Sequence, residues 1–279
     1  MIKSNTQFLE ETKKEINDKE SNICVGLDSD IEALPPVVRK NSSIKDSLII
    51  FNKKIIDATH KITVSYKLNL AFYYSLGIEG IEAMKVTNQY IKSKYPSIKI
   101  IADSKRSEMK RSAELTAKEL FDEYNFDAFT QTPWFGFDTL EPFLKYKNKA
   151  VFVICHDSNP SAGDIQDLKL NSGKYLYEYV TELVSKWNSS GNILIEAPLT
   201  YPKILKKIVE KAAKDQFFLL AGLGAQGGKI EDLKIFKKDN FLVSASRSII
   251  FASKDKDFDI KAFEAAENFR THVNSLNLK

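Results

Sequence analysis

Two lysines and two carboxylates interleave along this 279-residue sequence, each closing an apolar run. Asn22-Ile23-Cys24-Val25-Gly26-Leu27-Asp28 ends on an acid, and Thr63-Val64-Ser65-Tyr66-Lys67 ends on a base. Ile100-Ile101-Ala102-Asp103-Ser104-Lys105 carries one of each. Side chains alternate faces along a strand, so Asp103 and Lys105 are predicted to share a face, with Ser104 opposite. A carboxylate beside an ammonium at the end of a buried strand is costly to desolvate unless the two serve each other or a ligand. The plain alternative is a structural ion pair. An alternating Lys/Asp/Lys array, however, sets lysine basicity through neighbouring charge and holds one lysine charged and aimed as a general acid.

A second group of residues suits an anion. Leu220-Ala221-Gly222-Leu223-Gly224-Ala225-Gln226-Gly227-Gly228 is a glycine-rich turn, and Ser244-Ala245-Ser246-Arg247-Ser248 follows the next apolar run. Glycines let backbone N–H groups approach an anion, and Arg247 adds a forked positive donor. Together they indicate a phosphorylated small molecule. The polar loop Asp157–Gln166 is long enough to act as a lid. In it, Ser158 and Asn159 are suited to amide edges of a heterocycle, and Gln166 is placed to reach the phosphate on closure.

These groups converge only if the fold brings them together. An amphipathic helix is predicted over 4–20, with Phe8, Leu9, Thr12 and Ile16 on one side. Strands are predicted over 22–28, 63–67, 98–103, 127–132, 150–155, 192–196, 216–221 and 240–244. Helices are predicted over 44–60, 79–94, 108–124, from 138, and over 173–188, 201–214, 229–237 and 259–275. Eight strand-helix alternations without a linker argue for a parallel sheet covered by helices. They favour an α/β fold of the (β/α)8 TIM barrel type with an extra N-terminal helix, one domain over 1–279, above an open doubly wound sheet. Such barrels carry their sites at the C-terminal strand ends, with phosphate at the loops after strands seven and eight. Asp28, Lys67, Asp103, Lys105, Thr132, Ser158, Gly222 and Arg247 then line one rim.

Composition excludes several classes. The chain is 43% hydrophobic and 28% charged, ordinary for a soluble globular protein. Its net charge of +4 is spread over 41 basic and 37 acidic residues, too dispersed for a nucleic-acid surface. No run approaches the ~20 apolar residues of a membrane span, and Met1–Thr6 holds no signal core. Cys24 and Cys155 sit in apolar runs and read as buried reduced thiols, which fits a cytoplasmic setting. The three histidines and two cysteines lack metal-ligand spacing, so no metal is expected.

Taken as an ordered set, several motifs resemble the orotidine 5′-phosphate decarboxylase family. They are Gly26-Leu27-Asp28, Lys67-Leu68-Asn69-Leu70-Ala71-Phe72, Asp103-Ser104-Lys105, Thr132-Pro133-Trp134-Phe135-Gly136, Ser158-Asn159-Pro160, Gly222–Gly228 and Ser246-Arg247. They cover nearly the whole chain, and the lid and Gly224–Gly228 turn are most similar to the longer branch of some bacteria and apicomplexans. The resemblance implies conversion of orotidine 5′-phosphate to uridine 5′-phosphate in de novo pyrimidine biosynthesis, with no metal or organic cofactor. It implies that Lys105 protonates C6 of the pyrimidine, with Asp103 against the departing carboxylate. Lys67 would orient that carboxylate and contact the ribose, whose hydroxyls fall to Asp28 and Asn69. Ser158 would read the pyrimidine edge, while Gln226 and Arg247 grip the phosphate and Gln166 closes over it. Thr132, Asn159, Pro160, Gly222, Gly224 and Ser246 are carried over as substrate-binding positions. The family is typically a homodimer, which implies that the catalytic position Glu108, with Ser112, enters the partner's site.

The chain departs from the family pattern on that segment. The motif Asp-x-Lys-x-x-Asp ends here in Glu108, one methylene longer, in a site that needs tight placement. Ser107 replaces the usual Gly, Met109 and Ser112 replace Ile and Thr, and Ala221 replaces a Pro. Two alternatives stay open. A related barrel lyase acting on a sugar phosphate would need magnesium and lose activity to a chelator. A nucleotide-binding paralogue impaired at Glu108 would bind uridine 5′-phosphate without releasing carbon dioxide.

Overall fold

Short runs of alternating apolar residues form eight parallel strands, and the computed structural model describes residues 6–40, 42–223 and 227–278. The strands are β1 (Ile23–Gly26), β2 (Ser65–Asn69), β3 (Lys99–Arg106), β4 (Ala128–Gln131), β5 (Ala150–Ile154), β6 (Ile193–Pro198), β7 (Phe218–Ala221) and β8 (Phe241–Ala245). Each pairs with its sequence neighbour, and β1 pairs with β8, which closes the barrel. The predicted (β/α)8 architecture is therefore the observed one.

The period of two sorts the strand residues into two layers. Cys24, Ile101, Ala128, Phe152, Leu194, Leu219 and Leu242 fill the barrel interior. Val25, Tyr66, Ile100, Val151, Ile195, Leu220 and Val243 face outward into the layer packed by the helices. Two residues beyond the inward apolar row, the same alternation aims Thr130, Asp103 and Glu196 at the rim. The hydrophobic filling thus ends where the polar groups begin.

The N-terminal helix Gln7–Lys19 closes the opposite end. Phe8, Leu9 and Ile16 join the interior cluster, with the Phe8 ring edge-on to Phe152 at 6.2 Å between centroids. Lys19 Nζ donates to the carbonyls of His60 (3.0 Å) and Thr63 (2.8 Å), and Glu11 pairs with Lys99. Both cysteines are buried and free, and burial pushes their thiols up to about 11 at Cys24 and about 12 at Cys155. Among the described residues no helix is long and apolar enough to cross a membrane.

Several predicted boundaries shift for local reasons. Strand two runs to Asn69, whose side-chain oxygen then accepts from Ala71 N (3.1 Å) and starts the helix Leu70–Tyr74. The helix predicted over 108–124 is α-helical only over Lys110–Ala117 and continues as a π-turn over Lys118–Glu123. The segment predicted as a helix over 229–237 is a 3-10 turn at Ile230–Ile235. From Asp138 there is a 3-10 turn (Phe137–Thr139) and then a short helix, Glu141–Leu144, with Pro142 in its first turn. The helix after the lid starts at Leu176, because Lys169 bridges Tyr175 and the Glu178 carboxylate accepts from Tyr175 N (2.8 Å).

Candidate active site

The rim encloses a cavity of about 460 Å³. Asp28, Lys67, Asn69, Asp103 and Lys105 line one side, and Gly222, Ser246 and Arg247 line another. Ser158 and Asn159 complete it from the loop after β5. Of the expected site residues, ten thus converge on one space. Thr132, Pro160, Gln166, Glu108 and Ser112 stand outside this lining, and Gly224 and Gln226 lie outside the described residues.

Asp103 is the hub of the charged side. Lys67 Nζ donates to its Oδ2 at 2.6 Å, Lys105 Nζ donates to its Oδ1, and Thr130 Oγ1 donates to Oδ1 at 3.1 Å. Lys67 and Asp103 are buried, whereas the Lys105 side chain is 40% exposed toward the cavity. Burial by itself raises the Asp103 carboxyl, but Lys67 and Lys105 outweigh it and hold the group well below the carboxylate range. Burial lowers Lys67, yet Asp103 and Asp28 outweigh that and keep it above its ordinary value. Lys105 is likewise depressed by burial and raised overall by Glu196 and Asp103. Lys105 therefore meets a substrate as an ammonium at neutral pH.

Asp103 and Lys105 do share a side, but simple alternation is not the whole reason. The β3–β4 register slips between Ala102 and Arg106, and Lys105 adopts a left-handed backbone with φ +49°. That conformation is uncommon for a residue with a side chain and needs local support. Thr130 supplies it, accepting from Lys105 N at 3.0 Å, while Ser104 Oγ donates to the Thr130 carbonyl at 2.8 Å. One buried threonine on β4 thus fixes both the carboxylate and the backbone of the lysine.

On the opposite wall, Gly222 turns out of β7 with φ +92°, and Gly228 N donates back to the Gly222 carbonyl at 3.1 Å. β1 and β8 meet closely here. A Cβ added at Gly26 falls 1.8 Å from Ser246 Oγ, so only glycine leaves Ser246 and the following Arg247 in place. Asp28 Oδ1 is buried without a hydrogen-bond partner among the described residues, an acceptor held ready beside the cavity. Asn69 also faces the cavity, with its oxygen already engaged by Ala71 N.

His156 anchors the loop after β5, its ring nitrogens lying 2.7 Å from the Asp157 carbonyl and 3.2 Å from Asp167 Oδ1. Gln166 Oε1 accepts from Asp157 N at 2.8 Å, which ties the loop to itself and keeps the amide off the cavity wall.

Sequence reasoning misses Thr130 and Glu196. Nothing in the sequence marks a threonine within an apolar strand as support for its neighbour. Glu196, by contrast, is a charge closing an apolar run, the signal that picks out Asp28 and Lys67. It is 4% exposed and lines the cavity, and its Oε2 has no hydrogen-bond partner among the described residues. Burial pushes its carboxyl up from 4.5 to about 7, against the pull of Lys105. An acid raised on folding contributes stability that is full below its unfolded value and lost as pH rises toward the folded one. Glu196→Gln is therefore expected to raise the melting temperature at pH 8, by a gain on the order of 3 kcal/mol, and to change it little at pH 5. Thermal melts across that range check it.

No family model matches the chain. The chain is 37% identical over 269 residues to orotidine 5′-phosphate decarboxylase of Christiangramia forsetii, a match covering 95% of this chain and 97% of that protein. Among solved structures it is similar to Leishmania donovani UMP synthase, with a TM-score of 0.81 and 30% identity, covering 96% of this chain and 55% of the synthase. Leishmania donovani OMP decarboxylase also matches, with a TM-score of 0.81 and 27% identity, covering 96% of this chain and 98% of that one.

Proposed function

This chain belongs to the orotidine 5′-phosphate decarboxylase family, and from that membership we propose how its own residues convert orotidine 5′-phosphate to uridine 5′-phosphate. The observation that carries the reading is the Lys67–Asp103–Lys105 chain on one side of a cavity whose other side holds Gly222, Ser246 and Arg247.

Arg247 and the N–H groups of the loop after β7, with Gln226, hold the phosphate. Asp28, through its free Oδ1, accepts from a ribose hydroxyl, and Asn69 contributes its amide N–H to the same sugar. Ser158 and Asn159 meet the edge of the pyrimidine. This orientation sets the substrate carboxylate against Asp103, with Lys67 steering it. The C6–carboxylate bond breaks, the electron pair stays on C6, and Lys105 Nζ delivers a proton there. A carbanion on the ring has no electron sink in this array, so fixed charges aimed at C6 must stabilise it. Contacts at the phosphate, remote from C6, drive closure of the Asp157–Gln166 loop and assemble the site.

The reaction is tested by following loss of orotidine 5′-phosphate absorbance together with carbon dioxide release. Release without added metal and in the presence of a chelator supports this reading over a magnesium-dependent sugar-phosphate lyase. No release alongside tight uridine 5′-phosphate binding means a non-catalytic paralogue.

We propose a homodimer built on the segment after Lys105. Met109 (69%) and Leu115 (51%), at the start of and within the helix Lys110–Ala117, and Trp134 (47%) and Phe135 (54%), in the loop after β4, are exposed large apolar residues, which suit a protein partner. Glu108 and Ser112 flank Met109 on this side, outside their own chain's cavity, and are proposed to complete the site of a second copy. Mixing Lys105→Ala with Glu108→Ala, each inactive alone, is expected to restore about a quarter of wild-type activity, because half the dimers then hold one intact shared site. Absence of recovery in a mixture shown to exchange subunits overturns the shared site. The two buried thiols fit the cytoplasm, where this pathway step is proposed to run.

A further inference from the structure

A second carboxyl group stands among the lysines, and no role in the chemistry above uses it. Glu196 follows Leu194 on the inward face of β6, past the last apolar layer. It lines the same cavity as Lys67, Asp103 and Lys105, and its Oε2 is buried and unpartnered among the described residues. Neither lysine forms an ion pair with it; both direct their ammonium groups to Asp103 instead. Glu196 is thus near enough to feel both charges and bound to neither.

Charge balance then gives Glu196 a purpose. In the empty cavity the positive charges of Lys67, Lys105 and Arg247 face the acids Asp28, Asp103 and Glu196. A substrate carboxylate entering beside Asp103 adds one more acid next to the two lysines, with no added positive charge to balance it. Like charges at short range favour protonation of one of them. Asp103 is held by three hydrogen bonds and Asp28 is only half-buried beside the ribose, so the buried Glu196, with its free Oε2, is the group that yields. We propose that Glu196 is a charge-sensing specificity residue: it takes up a proton when a carboxylate-bearing nucleotide binds and gives it back once the carboxylate has left. This inference rests on the reading of the cavity as an orotidine 5′-phosphate site.

The surroundings of Glu196 support a titration in the working range. Burial holds its carboxyl up at about 7. The charged groups acting on it are Lys105, Asp103 and Lys67 from β3 and β2, with Asp157 after β5. Its strand neighbours are Ile154 on β5 and Leu219 on β7, neither of which titrates. Cys155, next on β5, stays a neutral thiol because burial pushes it up to about 12. Asp28 and Arg247 face the same cavity from the β1 and β8 side.

The test compares substrate with product, which share the phosphate and ribose and differ at the carboxylate. Between pH 6 and pH 8, kcat/KM for orotidine 5′-phosphate, taken as the ratio of wild type to Glu196→Gln, is expected to fall about tenfold, the fraction of a group titrating near 7 that remains protonated. The corresponding ratio of 1/Ki for uridine 5′-phosphate is expected to stay within about twofold, because no carboxylate enters beside Asp103. A flat substrate ratio overturns the proposal. So does an equal fall for substrate and product, which marks a merely structural titration. Should the glutamine variant fail to fold, the product of kcat/KM and the uridine 5′-phosphate Ki in wild type alone must fall tenfold over the same range, and constancy refutes the idea. Absence of carbon dioxide release by wild type at any pH refutes instead the reading on which this one rests.

Discussion

Lys105→Ala is expected to lower kcat for orotidine 5′-phosphate by about 10⁴-fold or more while uridine 5′-phosphate still binds measurably. The side chain is the cavity's exposed ammonium, hydrogen-bonded to Asp103 and held charged by Glu196 and Asp103. In the proposed mechanism its removal takes away the proton donor and a positive charge beside C6, and general-acid and electrostatic losses of about 10²–10⁴ each are ordinary. The residues proposed to hold phosphate and ribose lie on other strands, so product binding is expected to survive. A rate within tenfold of wild type would dismiss Lys105 as the proton donor. The absorbance assay and a uridine 5′-phosphate titration on the same preparation distinguish loss of chemistry from loss of fold.

Asp103→Asn is expected to damage both activity and stability. Asp103 is the shared acceptor of Lys67, Lys105 and Thr130. The amide preserves shape but leaves the buried Lys67 ammonium without its counter-charge. Removing one partner of a buried pair typically costs about 3–5 kcal/mol, and Asp28 and Glu196 offset part of that because both also act on Lys67. A fall in melting temperature together with a loss of about 10³-fold in kcat is the expected pair of results. If turnover falls while the melting temperature is unchanged, Asp103 serves the reaction alone and the structural share assigned to it is wrong.

Much of this arrangement is legible in the sequence because one rule governs it. A charge that ends an apolar run in a strand-helix repeat falls on the barrel rim, and that rule locates Asp28, Lys67 and Asp103 without coordinates. What it leaves out depends on contacts between strands. Thr130 matters because the slipped β3–β4 register brings its hydroxyl to Asp103 and to the backbone of Lys105. The left-handed backbone of Lys105 has no signature either, since it is imposed by the neighbouring strand and not by residue type. Helix periodicity likewise carries past Ala117, where the chain widens into a π-turn, and past Lys229, where only a 3-10 turn forms. Glu196 obeys the rim rule as plainly as Asp28, and only a burial pattern shows that it faces inward.

The stopper formed by Phe8 against Phe152 has a consequence for traffic through the molecule. With the floor shut and the shaft above it filled by Leu194, Leu219 and Leu242, the described residues close the barrel below the cavity. Carbon dioxide and the spent nucleotide are then expected to leave by the same mouth, beside the loop that His156 moors.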